Sequence, residues 1–208
     1  TDAPDGSTAR TPPDGPPITI GFAGDTVPAA DGFNPPSDPS VLLGSVTSIL
    51  RKPDLMVLNL EGTLTERGAS KCGAGSSNCY AFRYSPSFAK TLKDAGVDAV
   101  NLANNHAFDF GQEGLDDTHA ALRRAGIPWT GAPGQVTVVE KKGVRIALVG
   151  FSSYRWSAPI TDPDAVQALV AKAAAAADLV VVVLHGGAEG DAYQHVPRGD
   201  ETFLGEDR

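Results

Sequence analysis

The sequence lacks a long apolar run, a basic stripe and more than two cysteines, and each shortage excludes a class of protein. The longest apolar run, Leu179 to Leu184, is much shorter than the roughly 18 residues that cross a bilayer, so no transmembrane segment is predicted. A net charge of −8 argues against binding nucleic acid or anionic lipid through bulk charge. An anionic substrate therefore needs a local positive centre, which a bound metal ion provides.

The two cysteines, Cys72 and Cys79, lie in the segment KCGAGSSNCY, whose Gly and Ser content predicts a loop. The sequence favours a local disulfide, which contributes roughly 2–2.5 kcal/mol by loop-closure entropy and indicates an oxidising compartment. A zinc knuckle requires a second Cys/His pair, and the sequence has none close by. Two free thiols are the remaining alternative.

The first seventeen residues, TDAPDGSTARTPPDGPP, consist mainly of Pro, Gly, Ser, Thr and Asp. This composition predicts a flexible linker over 1–17, followed by one folded domain over 18–208. The chain has no signal peptide and starts without Met, as a processed protein does. We therefore expect an extracytoplasmic protein, either secreted or held by an envelope anchor upstream of the linker. A cytosolic protein with a frayed start is the alternative.

Short apolar runs alternate with helical segments along the domain. Such alternation predicts an α/β fold with a mostly parallel sheet covered by helices. The runs expected to form buried strands are Ile18–Ala23, Leu55–Leu60, Ala99–Ala103, Val144–Phe151 and Leu179–Leu184. Helices are expected over Pro39–Arg51, Pro86–Ala95 with Ser85 as cap, Glu113–Ala125, and Ala165–Ala177 with Asp162 or Asp164 near its start.

Two features modify this simple pattern. The segment Lys141-Lys142-Gly143 between two strand-like runs predicts an antiparallel hairpin that turns at Lys142-Gly143, and hence a mixed sheet. After His185 the chain is rich in Gly and Asp and has no convincing helix. Because a buried parallel strand needs a covering helix, we expect the domain to be cut short at its C-terminal end and to continue past Arg208.

Polar residues suited to chemistry follow the predicted strands. In open α/β sheets ligands bind at the carboxyl ends of strands, so these residues are expected to form one site. They are Asp25, Asn59 and Glu61, the run Asn104-Asn105-His106 with Asp109 after it, and His185 with Glu189 after it.

The residue types in this set suit a metal. Oxygen and nitrogen ligands without sulfur favour Mg, Mn, Fe or Zn, and one or two such ions can clamp an anionic oxygen and activate water. His106 lies next to the candidate ligand Asn105 and can serve as general acid or base near neutral pH. Alone, Asp25 is equally typical of a helix cap or turn, and His185 of a hydrogen-bonded core histidine. His119, in mid-helix, is interpreted as an ordinary surface residue.

Five segments occur in one order from residue 18 to the end: FAGDTVP, LNLEGTLT, NLANNHAFDFGQEGLDDT, RIALVGFSSY and VVVVLHGGAEG. Together they resemble the CapA family of poly-γ-glutamate capsule-synthesis proteins, which look like divergent calcineurin-like metallophosphoesterases. The block LANNHAFDFG is the most specific of the five. The resemblance implies a sandwich of two mixed β-sheets flanked by helices, with divalent metal between strand ends.

The resemblance also implies roles for individual residues. His106 matches the catalytic histidine of that superfamily, and Glu61 matches a bridging carboxylate. The implied metal ligands are Asp25, Glu61, Asn105 and His185, and the expected substrate-binding residues are Asn59, Asn104 and Glu189.

The chain departs from the superfamily pattern at two points. Thr26-Val27 follow Asp25 in place of an Asp-x-His motif, which weakens one metal position. A final Gly-x-x-Pro-His-like segment is absent from this sequence.

Three functions are compatible with these observations. They are a phosphoesterase-like hydrolase of an anionic envelope substrate, a non-catalytic factor that binds a polyanion such as poly-γ-glutamate during export or attachment, and a peptide epimerase.

Overall fold

The structure, a computed structural model, describes residues 17–27, 40–73, 79–188, 195, 198–199, 202–203 and 206–207. Most of the predicted linker over 1–17 and the predicted site residue Glu189 therefore lie outside the described residues. In chain order the elements are β1 (Ile20–Thr26), α1 (Ser40–Gly44), α2 (Thr47–Leu50), β2 (Leu55–Leu60), β3 (Thr63–Leu64), β4 (Arg83–Tyr84), α3 (Phe88–Ala95), β5 (Ala99–Asn101), α4 (Gly111–Ala125), β6 (Trp129–Thr130), β7 (Thr137–Lys141), β8 (Val144–Ser152), β9 (Ala158–Pro159), α5 (Pro163–Ala176), β10 (Leu179–His185), β11 (Thr202–Phe203) and β12 (Glu206–Asp207).

The first sheet has the strand order β1-β2-β5-β6, and its described strand pairs are all parallel. Strands β2 and β5 form its centre and are buried along their whole length. On one face of this sheet, Leu58 and Val100 belong to the same core cluster as Leu92 of α3 and Leu122 of α4. Burying each such side chain stabilises the fold by roughly 1.5–3 kcal/mol.

The second sheet has the order β10-β8-β7, with β9 also paired to β8. It is mixed, as predicted, because β10 and β9 run parallel to β8 while β7 runs antiparallel. Helix α5 covers one face, where Leu169 and Ala173 pack with Val149. The predicted cap of α5 is confirmed, since the Asp162 side chain accepts a hydrogen bond from the backbone N–H of Ala165 at 3.0 Å.

The two sheets face each other across a shared apolar layer. Leu55 and Val57 of the first sheet form one buried cluster with Ile146 and Leu148 of the second. Helices α3 and α4 lie outside the first sheet and α5 lies outside the second. The predicted α/β sandwich of two sheets flanked by helices is therefore confirmed, but of the two predicted mixed sheets only the second is mixed among the described strands, while the first is parallel.

Gly150 allows the two sheets to approach closely near the strand ends. A β-carbon built at this position of β8 would lie 2.1 Å from Oδ1 of Asn101 on β5, which is well inside van der Waals contact. The absent side chain therefore leaves the space that the buried Asn101 amide occupies. The close approach of Gly150 and Asn101 brings β8 and β5 of the two facing sheets together beside the polar residues that follow β5.

The predicted hairpin turn at Lys142-Gly143 is confirmed. Lys142 and Gly143 have φ angles of 52° and 79°, and the flanking residues Lys141 and Val144 are paired across the two strands. Positive φ at both central residues is the requirement of a two-residue turn that matches strand twist, and glycine meets it without strain.

Two of the five predicted buried strands are partly exposed instead. Strands β1 and β10 lie at the edges of their sheets, so each has only one strand neighbour among the described residues. Phe22 on β1 is 58% exposed and Leu184 on β10 is 61% exposed. The apolar composition correctly indicated strands, but it carried no information about their position in the sheet.

The predicted helix boundaries also need correction. In place of one helix over 39–51, the described residues form α1 and α2, separated by a turn in which Val46 N donates to Leu43 O at 3.0 Å. Helix α3 is preceded by Ser87 and not by the predicted cap Ser85, because Phe88 N donates to Ser85 O in a turn before the helix. No helix among the described residues is both long and apolar enough to cross a bilayer.

Candidate metal centre

Asp25, Glu61 and His185 converge where strands from the two facing sheets end. One ligand atom from each residue lies within 4.8 Å of the others. Nδ1 of His185 is 3.5 Å from Oδ1 of Asp25, and its Nε2 is 3.8 Å from Oε1 of Glu61. Asp25 is near the end of β1, Glu61 directly follows β2, and His185 ends β10. The three residues therefore form a group that can hold a metal ion.

Asn105 joins this group as a fourth candidate ligand, through its amide oxygen. Its Oδ1 lies 2.9 Å from Nε2 of His185, and the residue is 8% exposed. The structure thus brings all four predicted ligand residues together. Two carboxylates, one amide oxygen and one imidazole form a donor set that fits a hard-to-borderline divalent cation such as Mg, Mn, Fe or Zn.

Asn59 connects the candidate ligands to the core through both ends of its amide. Its Nδ2 lies 2.7 Å from Oδ1 of Asp25 and 3.2 Å from Nδ1 of His185. Its Oδ1 accepts hydrogen bonds from Nδ2 of Asn101 at 2.9 Å and from Nδ2 of Asn104 at 3.0 Å. Because these two bonds fix which end of the amide is oxygen, Nδ2 is the donor toward the ligands.

The imidazole of His185 makes two polar contacts here: Nδ1 lies 3.2 Å from Nδ2 of Asn59, and Nε2 lies 2.9 Å from Oδ1 of Asn105. A bound metal ion would replace one of these contacts, because a ring nitrogen ligates through a free lone pair. Asn104 is fully buried, and its Nδ2 also donates to the backbone oxygen of Leu60 at 2.9 Å. The contacts give Asn59 and Asn104 positioning roles, while substrate binding by them stays a prediction.

His106 is held in one orientation beside this group. Its Nδ1 lies 2.8 Å from Oδ2 of Asp109, and a carboxylate accepts, so Nδ1 carries the proton. The unprotonated Nε2 then lies 3.8 Å from Oε1 of Glu61. The Phe82 ring stacks on the imidazole at 4.0 Å between centroids. The backbone N–H of His106 donates to Oδ1 of Asn104 at 3.0 Å.

Asp109 and Lys71 are site residues for which no role was predicted. Asp109 is fully buried, accepts a hydrogen bond from Phe82 N at 2.6 Å and forms a 2.6 Å ion pair with Nζ of Lys71. Lys71 also donates to the backbone oxygen of Asn105 at 3.3 Å. An Asp three residues after His106 in a turn was a readable signal, whereas nothing in the sequence singled out Lys71.

Lys71 and Phe82 lie just outside the two ends of the loop that the cysteines bound. Cys72 and Cys79 lie with their sulfurs 2.05 Å apart, which is the length of a disulfide bond. Lys71 directly precedes Cys72, and Phe82 follows Cys79 by three residues. A bond here would close the loop that connects the two residues in contact with Asp109.

His119 is not the ordinary surface residue that was predicted. Its ring stacks on Trp129 with 4.6 Å between centroids, and burial is the main cause that lowers the pKa of the imidazole below its ordinary value. Nearby charges act in opposite directions, Asp116 raising this pKa and Arg123 lowering it. His119 lies on α4, so its titration belongs to helix packing and not to the metal centre.

Comparisons with known proteins place these residues in a family. The sequence profile described as "Bacterial capsule synthesis protein PGA_cap" matches residues 19–204. The chain is 34% identical over 122 residues to "Capsule biosynthesis protein CapA" of Bacillus anthracis, a match covering 49% of this chain and 30% of that protein. It is 32% identical over 119 residues to "PGA biosynthesis protein CapA" of Bacillus subtilis (strain 168), covering 49% and 31%. The match thus spans less than a third of either relative's length.

Two further similarities extend this result. A "Probable polyglutamine synthesis accessory protein" of Mycobacterium tuberculosis is 40% identical over 79 residues, covering 38% of this chain and 20% of its own length. The crystal structure of a hypothetical protein from Thermus thermophilus has a TM-score of 0.50 at 23% identity, covering 85% of this chain and 60% of that one. At that identity the likeness shows the fold alone. Because the profile matches nearly the whole described chain, the protein belongs to the PGA_cap family of bacterial capsule synthesis proteins.

Proposed function

We propose that this protein acts in capsule or polyglutamate biosynthesis as an extracytoplasmic, metal-dependent hydrolase of an anionic envelope substrate. The convergence of Asp25, Glu61 and His185 within 4.8 Å is the observation that carries this proposal. Family membership supports the biosynthetic context, and the names of the Bacillus relatives point to a polyglutamate capsule. The anionic substrate is suggested by the names of these relatives, and in a chain of net charge −8 such a substrate needs a local positive centre, which a bound metal ion would provide.

The metal would be held by Asp25, Glu61, Asn105 and His185. When bound, one or two divalent ions supply Lewis acidity, lower the pKa of water and offset the negative field of the two carboxylates. Asn59 donates to Asp25 and lies 3.2 Å from Nδ1 of His185, so it positions the Asp25 carboxylate beside the imidazole. Such outer hydrogen bonds orient ligands and typically change metal affinity 10–100-fold.

His106 is the proposed general base and acid. With the proton on Nδ1 and held by Asp109, Nε2 is free of its own proton and faces Glu61 at 3.8 Å. Nε2 can accept a proton from the attacking water and return it to the leaving group, which balances the addition of water across the broken bond. Asp109 acts through His106 as a positioning residue, and Lys71 offsets the charge of the buried Asp109 carboxylate.

Isothermal titration of the chain with Mn²⁺ tests the metal site. We expect micromolar binding that weakens at least about 100-fold in Asp25→Asn. Mutation of a residue that only hydrogen-bonds a ligand already lowers metal affinity by up to about that factor. Asp164→Asn is the matched control, since Asp164 is an acidic residue in the first turn of α5 and should leave affinity unchanged. Absence of micromolar binding by the unmodified chain would sink the metal centre and the hydrolase with it.

Turnover is tested separately from metal binding. His106→Asn should retain Mn²⁺ affinity and lose hydrolysis of bis(p-nitrophenyl) phosphate by at least about 100-fold, the lower range for loss of a general acid or base. A chain that binds Mn²⁺ but hydrolyses neither this phosphodiester nor a polyglutamate would contradict the hydrolase. That outcome would leave the non-catalytic polyanion-binding factor as the function to pursue.

A further inference from the structure

Three aromatic rings stack in a row beside the candidate metal centre. The ring centroids of Phe108 and Trp156 are 5.1 Å apart and those of Tyr154 and Trp156 are 5.2 Å apart, with 14° between the planes in both pairs. The guanidinium of Arg155 lies 5.8 Å from the centre of the Phe108 ring. We call these four residues, Phe108, Tyr154, Arg155 and Trp156, the aromatic ledge.

The aromatic ledge is attached directly to the turn that carries His106. Nε1 of Trp156 donates to the backbone oxygen of Asn104 at 2.9 Å, and Phe108 follows His106 by two residues. The rest of the ledge follows β8, whose last residue Ser152 pairs with His185. The ledge and the metal centre therefore share the carboxyl-end edge of the two sheets.

The loop under the aromatic ledge is fixed by short polar contacts. The hydroxyl of Ser157 donates to the backbone oxygen of Tyr154 at 2.7 Å, and Ser157 N donates to the same oxygen at 3.0 Å. The hydroxyls of Ser152 and Ser157 also share a hydrogen bond. A platform that is already ordered binds a flexible ligand with a smaller entropic cost than a mobile loop.

The exposure and the charge of the aromatic ledge are typical of a ligand-binding surface and not of a hydrophobic core. Its three rings are half-buried and Arg155 is exposed. Arg67 and Arg145 each form an ion pair with an aspartate, but no carboxylate within the described part of the chain pairs with Arg155. In a chain of net charge −8, this cation lies next to the site proposed to receive an anion.

We infer that the aromatic ledge binds the chain of a carboxylate-rich peptide and leads it to the metal centre, an inference that rests on the proposed hydrolase function. A guanidinium pairs with a carboxylate through two parallel hydrogen bonds. The edges of the stacked rings of Phe108, Tyr154 and Trp156 can contact the methylene and amide groups between successive carboxylates. An acidic peptide alternates such groups along its length, so it matches a surface that places one cation on an aromatic row.

Trp156 provides an optical test, because the sequence contains only one other tryptophan. In a Trp129→Phe background, the fluorescence of Trp156 is titrated with a synthetic γ-linked glutamate decamer in the presence of EDTA. We expect a saturable change in emission with the glutamate decamer and none with a γ-linked glutamine decamer. Arg155→Ala should weaken the glutamate decamer about tenfold or more, the loss expected for one charge-assisted pair.

The chain offers a matched control for Arg155. Arg123 lies 5.6 Å from the centre of the Trp129 ring on the last turn of α4, so it has the same chemistry at another location. Arg123→Ala should leave decamer affinity unchanged. An equal loss in both variants, no loss in Arg155→Ala, or tighter binding of an oligogalacturonate than of the peptide would each overturn the inference.

Two further measurements separate this inference from the proposed function. Arg155→Ala should keep wild-type Mn²⁺ affinity, while Asp25→Asn should keep decamer binding in EDTA after losing Mn²⁺ affinity. A decamer that fails to bind while Mn²⁺ binds normally overturns the aromatic ledge alone. A decamer that binds to a chain without Mn²⁺ affinity supports the ledge and contradicts the hydrolase.

Discussion

The candidate site has a buried half and an exposed half, and they are built differently. Asn104 and Asp109 are fully buried, with their side-chain groups engaged by neighbours, on the turn after the central strand β5. Asp25 and His185 come from edge strands, and their side chains are 55% and 16% exposed. The comparison separates residues whose hydrogen bonds hold the fold from residues that remain accessible to a ligand.

Position in the sheet explains the difference. A buried polar group without a partner costs about 1–3 kcal/mol, so groups behind central strands must be hydrogen-bonded to one another. An edge strand leaves side chains such as Asp25 partly in water, which can satisfy the carboxylate oxygen that no neighbour must hold. Asn59 lies between the halves, since it accepts from Asn101 and Asn104, donates to Asp25 and lies 3.2 Å from Nδ1 of His185.

Asn59→Leu should have the largest effect on stability. The leucine matches the amide in size but removes an acceptor from two buried NH₂ groups, so we expect the free energy of unfolding to fall by about 3 kcal/mol. Urea denaturation measures the change. Gln112→Leu is the control, because Gln112 is an amide that hydrogen-bonds Asp116 on the exposed side of α4 and should change stability by less than about 0.5 kcal/mol. Equal losses would remove the distinction between the halves.

Replacing both cysteines by serine should have the next largest effect. A Cys72–Cys79 bond would close a loop with a sequence separation of 7, for which loop-closure entropy predicts a loss of about 2.4 kcal/mol. Urea denaturation of Cys72→Ser/Cys79→Ser, beside the oxidised chain, measures it, and mass spectrometry without reductant verifies the bond. A bond that is present and leaves stability unchanged would contradict the loop-closure estimate for this pair.

His119, which lies outside the site, tests how burial alone affects the pH dependence of stability, without the hydrogen-bond network of the site. Burial lowers the pKa of His119 from 6.5 in the folded chain, so the unfolded chain binds the proton first. The stability that neutral His119 contributes is complete above pH 6.5 and is lost as the pH falls toward the folded pKa. The stability difference between wild type and His119→Gln should therefore shrink from pH 8 to pH 5.5, by less than the disulfide effect. A constant difference would contradict this assignment.

Asp25→Asn should have the smallest effect on stability. The side chain is 55% exposed, and surface substitutions usually change stability by less than about 0.5 kcal/mol. The same variant is expected to lose most of its Mn²⁺ affinity, so stability and metal binding should respond independently in the exposed half. A loss above about 2 kcal/mol in metal-free buffer would show that Asp25 supports the fold as Asn59 does.

The sequence predicted the alternation of strands and helices because apolar periodicity and turn residues are local signals. It also predicted that Asp25, Glu61, Asn105 and His185 would meet, because each lies at or just beyond the carboxyl end of a strand. It did not predict that β1 and β10 are edge strands. Composition reports strand tendency, whereas burial depends on which strands pair.

The hydrogen-bond network was beyond sequence reasoning for a similar reason. Asn59 meets Asn101 only because β2 and β5 pair in the register that sets these two residues opposite each other. Lys71 reaches Asp109 only because the segment just before Cys72 packs against the turn after β5. Register and long-range return of the chain are decided by tertiary packing, which a single sequence does not display.

Gly150 has a consequence for how the site can be altered. Its missing β-carbon makes room for Asn101, so even the methyl group of an alanine at this position would push the two facing sheets apart. Strand β8 is paired with β10, which ends at His185, and leads into the loop that carries Trp156. The spacing between the two sheets therefore sets the distance of His185 and the aromatic ledge from Glu61 and Asn105. A substitution at Gly150 would change this distance while every candidate ligand residue stays the same.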